Sequence, residues 1–144
     1  MIPQPARALA DLAVKLAISI SPETTSPYAM ANTGLISMLL LAIAQDHDRA
    51  AANRMADIEE MQRLFLAAGS AHPGAPGATI RAAFCARAPA GLRISELDVF
   101  HAEGSAVLID LHAWAELHDP ELSLSIWDYL LAHTGRNRFD LPTP

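Results

Sequence analysis

Beyond its carboxylates, the side-chain chemistry of this sequence rests on six histidines and one cysteine. Asp98 and His101 stand three residues apart, and His112 and Glu116 four apart, within one stretch of helical periodicity. At roughly 100° per residue, Asp98, His101, Ser105, His112 and Glu116 share a face about 60° wide, next to a sector carrying Leu97, Phe100, Val107, Leu111 and Trp114. Imidazoles and carboxylates on one face can bind a divalent metal or exchange protons. The same stripe also suits the water-facing side of an amphipathic helix, with His112 and Glu116 as an exposed pair. His101 and His112 lie about 16 Å apart along a helix axis, so they cannot hold the same ion.

His47 is the second focus. It sits between Asp46 and Asp48, in line with the apolar positions Ile36, Leu40, Ile43, Ala50 and Ile58. There it is either a core histidine satisfied by a carbonyl or carboxylate, or a ligand. Asp46 and His47 with Asp98 and His101 therefore form the candidate metal or acid–base constellation, drawn from two helices. Asp57, Glu59 and Glu60 read as a solvated acidic face. Cys85 reads as a small apolar core residue; a single cysteine permits no intramolecular disulfide and no CxxC motif. The phosphate, dinucleotide, serine-hydrolase, HExxH and EF-hand signatures are missing, as is the Glu-x-x-His of di-metal bundles. No cofactor is expected.

The elements that must carry these residues are helices. Alanine (28) and leucine (19) make up about a third of the 144 residues, and both rank high in helix propensity. With 51% hydrophobic and 18% charged residues the chain is not disordered. Pro5, Ser26-Pro27, Ser95 with Asp98, and Asp119-Pro120 read as helix starts; Pro22, Gly69, Pro89 and Gly135 read as stops. The expected fold is all-α, a single domain over residues 1–144. It is an antiparallel bundle of four main helices plus a short one at 78–88, with a poorly ordered tail at 136–144. The composition, rich in alanine and arginine and poor in lysine, resembles that of small bacterial helical proteins.

The second helical pattern runs over residues 27–68, about 63 Å, longer than a compact domain of this size is wide. Residues 35–43 are apolar on nearly every face and read as central core. The helix must therefore bend near residues 46–53 or project and meet a second chain. The stripe Met55, Ile58, Met61 and Phe65 is the candidate interface of a two-fold homodimer. A net charge of −6 with no basic cluster excludes the usual nucleic-acid footprint and a polybasic membrane signal. The strongly apolar run of ten residues is short for a bilayer span, and charges interrupt the N-terminal helix, so a cytoplasmic protein is expected. On these grounds the chain reads first as a non-enzymatic helical interaction or structural module. The alternatives are a metal-dependent or acid–base enzyme using the second and fourth helices, and a binder of small apolar ligands.

Overall fold

The computed structural model describes residues 4–72 and 74–140. The fold is all-α, with four longer helices, one of eight residues, and no strand among the described residues. In chain order these are α1 (Pro5–Lys15), α2 (Pro27–Ala71), α3 (Ala78–Cys85), α4 (Ile94–His118) and α5 (Pro120–Arg136). Pro5, Pro27 and Pro120 each occupy a first helical position, where a missing N–H costs nothing. A π-helical turn at Leu16–Ile20 and a short 3₁₀ turn at Ser21–Glu23 follow α1. α2 is one uninterrupted helix of 45 residues, with no break at residues 46–53.

The described residues group into two compact units: residues 4–50 with 139–140, and those between 51 and 138. In the first, α1 meets the N-terminal part of α2 through small residues. The Ser37 hydroxyl donates to the Ala13 carbonyl at 2.7 Å, and Ala13, Ser37 and Ala44 are buried. Residues 35–43 are not the central core that their composition suggests. Leu35, Ile36, Met38, Leu39 and Ile43 are each about half exposed, because one short helix covers only one side of α2 here.

The second unit holds the principal core. Ile58, Met61 and Phe65 of α2 are fully covered, and Met55 packs against them. The stripe expected to meet a second chain is thus core, closed over by Phe84 of α3, Leu97, Phe100 and Leu111 of α4, and Ile126 of α5. Phe84 stacks on Phe100 at 4.5 Å and meets Phe65 edge-on at 5.6 Å. Gly104 permits this, since a Cβ there would lie 2.6 Å from Phe84 Cζ. The expected capping acid of α4 also shifts. Glu96, not Asp98, accepts the Arg93 N–H at 3.2 Å, which leaves Asp98 free for a different partner. Asp119 caps α5 by accepting from Leu122 N at 3.0 Å, and its other oxygen pairs with His72. Residues 136–140, expected as part of a poorly ordered tail, are held in place. Arg136 closes α5, Asn137 is hydrogen-bonded, and Asp140 pairs with Gln45 and Arg49; residues 141–144 lie outside the described residues.

Candidate metal and acid–base site

Three helices of the second unit bring their polar residues together at Asp57. On α2, Arg54 and Asp57 share the sector of Ile58 and Met61, which turns a charged pair toward the core. α5 continues its buried stripe Leu122, Ile126, Tyr129 to His133 and Arg136 in steps of three and four. α4 contributes His101.

Asp57 has no exposed surface, and its two oxygens are used differently. Oδ1 accepts from Arg136 Nε at 2.9 Å and Nη2 at 2.6 Å; the same Nη2 also reaches Glu60 at 2.6 Å. Oδ2 faces the imidazoles. It accepts from His133 Nδ1 at 2.8 Å and from Asn137 Nδ2 at 3.4 Å, and His101 Nε2 stands 3.9 Å away. That His101 nitrogen is buried and has no hydrogen-bond partner, while its Nδ1 lies 3.4 Å from the Ser105 hydroxyl. The two imidazoles are nearly parallel, with centroids 5.7 Å apart, and Tyr129 stacks on the far side of His133.

The electrostatics favour a neutral His101. Burial, together with the nearby Arg54 guanidinium, pulls its pKa below the ordinary histidine range, only partly opposed by Asp57. Arg54 is held by Asp98 at 2.7 Å and stands 3.9 Å from Asp57 Oδ2. Burial and the Asp57 carboxylate push the Tyr129 hydroxyl up to about 12, while hydrogen bonds to Glu60 and Asp57 hold Arg136 more firmly protonated.

Of the four residues singled out from sequence, His101 stands in this cluster and Asp98 at its edge. Asp46 and His47 belong to the other unit. Both are exposed, and His47 lines an open groove of about 960 Å³ with Arg7 and Leu41. His112, on the same face of α4 as His101, sits edge-on to Trp127 at 5.4 Å and 3.7 Å from Glu116. Asp57 corrects the expectation of a solvated acidic face, and His133 was not foreseen. The available signal was positional: Arg54 lies in the middle of an apolar sector, and His133 continues one.

Comparison of the chain with protein-family models, curated proteins and solved structures found no match. The ground for a functional conclusion is therefore the chemistry of the cluster itself.

Proposed function

We propose that the chain binds a divalent transition-metal ion of the zinc type between Asp57 Oδ2, His101 Nε2 and His133 Nδ1, and uses it in acid–base chemistry. The observation that carries this is the orphaned His101 nitrogen, buried and aimed at a carboxylate oxygen that a second imidazole already touches. The three ligand atoms lie within 4.8 Å of one another. Ligands about 2.0–2.1 Å from a tetrahedral ion stand roughly 3.3 Å apart. The observed 2.8 Å and 3.9 Å separations bracket that value, so modest side-chain rotation suffices.

The surroundings support the reading. Arg136 orients the carboxylate through Oδ1 and leaves Oδ2 to the ion, as partners behind metal ligands commonly do. Asp98 offsets Arg54 and Glu60 shares Arg136, so Asp57 keeps charge for a cation. His101, held neutral, is ready to ligate, whereas His133 must carry its proton on Nε2 so that Nδ1 offers its lone pair to the ion. Two imidazoles and one carboxylate leave a fourth position for water, whose pKa such an ion lowers. Glu60 and Tyr129, which flank the cluster, also line an open groove of about 370 Å³ with Leu64 and Ser125.

A structural module is the second reading, favoured by one observation: Arg136 and His133 already satisfy Asp57 without an ion. Calorimetric titration of chelator-treated protein with zinc at neutral pH separates the two. One equivalent bound, and lost in His101→Gln and in His133→Gln, supports the metal site. Absence of saturable binding, or binding untouched by both substitutions, leaves the structural module.

A further inference from the structure

Among the described residues, the N-terminal unit leaves one broad surface without a partner. Taking Leu35 as origin at roughly 100° per residue, Met38, Leu35, Tyr28, Leu39, Ile43 and Ile36 of α2 fall in a sector about 160° wide. Each is between 49 and 77% exposed. Ser37 and Ala44, the positions turned to α1, lie on the opposite side of the helix. Over residues 28–43 the sector contains one amide, Asn32, and no charge. A contiguous apolar face of this extent marks a contact surface.

Two kinds of cover suit such a face: lipid, or another apolar helix. α2 passes a length-and-composition test for a membrane span, with a mean hydropathy of 1.5 and 11% of its most apolar window buried. The placement of α1 argues against lipid. The charge-free helical run at residues 27–45 would cover about 28 Å, close to the ~30 Å hydrocarbon thickness. The Ser37–Ala13 bond lies near its middle. Inserting the run would therefore draw Asp11 and Lys15, two residues either side of Ala13, to about 3 Å from the midplane. Lying flat on an anionic surface fares no better. The polar rim would need a cluster of basic residues, and residues 4–45 carry only Arg7 and Lys15, in a chain of net charge −6.

We infer that the covering element is a second copy of this chain, paired through the outward face of α2 at residues 28–43. In that arrangement Asp11 and Lys15, on the side of α1 opposite Ala13, stay in water while the uncharged faces close on each other. An interface depleted of charge at its centre and rich in Leu, Ile, Met and Tyr has the composition of a homodimer core. A two-fold pairing also gives each face a partner of equal length and character.

Size exclusion with light scattering at tens of micromolar should return twice the monomer mass for the wild type. Leu35→Glu and Leu39→Glu should both return the monomer mass with the helical circular dichroism unchanged, since neither side chain is buried within one chain. Should either fail to fold, Leu35→Cys in a Cys85→Ala background keeps the question open to test: oxidation should link two chains, whereas Asp11→Cys in the same background should not. A monomeric wild type, a dimer indifferent to both glutamates, or cross-linking through Asp11→Cys alone overturns the proposal. So does co-sedimentation of monomers with phosphatidylglycerol vesicles, which assigns the face to lipid.

Discussion

At the scale of single residues, Asp57 decides most. Its carboxylate is wholly buried, and Arg136, His133 and Asn137 are arranged around it. Asp57→Ala leaves Arg136 and His133 without their acceptor, so it should cost about 3–5 kcal/mol, the usual penalty for breaking a buried pair from one side. Arg136 keeps some solvent contact and Glu60 as a partner, which places the expected loss at the lower end; the urea midpoint measures it. Tyr129 gives a pH signature. Its folded pKa of about 12 lies above the ordinary value of 10, so its contribution is fully present below pH 10. As pH rises from 10 to 12 the unfolded chain gives up the phenolic proton first, and that stability is lost. Melting curves across this range should show a decline that Tyr129→Phe reduces. Of the cluster, His101 was legible in sequence as one of a set of polar positions on a helical face. Asp57 was not, because its neighbours Glu59 and Glu60 make the local pattern that of a solvated acidic surface. Which of three adjacent acids is buried depends on where α5 delivers an arginine, and that is a tertiary fact.

At the scale of elements, starts and stops were the most readable feature, since a proline at the first turn or an Asp cap acts locally. The starts of α1, α2 and α5 fall where Pro5, Pro27 and Asp119-Pro120 place them. Burial along α2 was the least readable. Residues 35–43 and residues 55–65 both carry ample apolar side chains, yet only the second set is covered. Hydrophobicity shows that a face needs a cover; it does not say whether the chain's own helices supply it. α4 meets α3 at Gly104, where the ring of Phe84 fills the space a side chain would take. Phe84 is itself held between Phe65 and Phe100, so it cannot give way. Gly104→Ala should therefore destabilise the protein by about 1–3 kcal/mol through overpacking, despite the better helix propensity of alanine. A lowered melting temperature checks this; an unchanged or raised one would mean the aromatic stack can shift.

At the scale of the whole molecule, polar and apolar surfaces are divided between the two units. The second unit closes a core and places ionised groups inside it, while the first exposes an uncharged face over residues 28–43 of α2. The composition indicated this balance in aggregate but not its distribution: a net charge of −6 says nothing about where an uncharged face lies. The Asp57 network also has a consequence in time. The carboxylate and the residues that hydrogen-bond it from α5 and its end are separated by 76 to 80 positions along the chain. During synthesis at about 5–20 residues per second, roughly 4–16 s pass between the making of Asp57 and the making of those partners. Throughout that interval the carboxylate must remain hydrated, and the face of α2 that bears it has no reason to leave water. The second unit therefore assembles last to first: its core can close only once the final helix has been made.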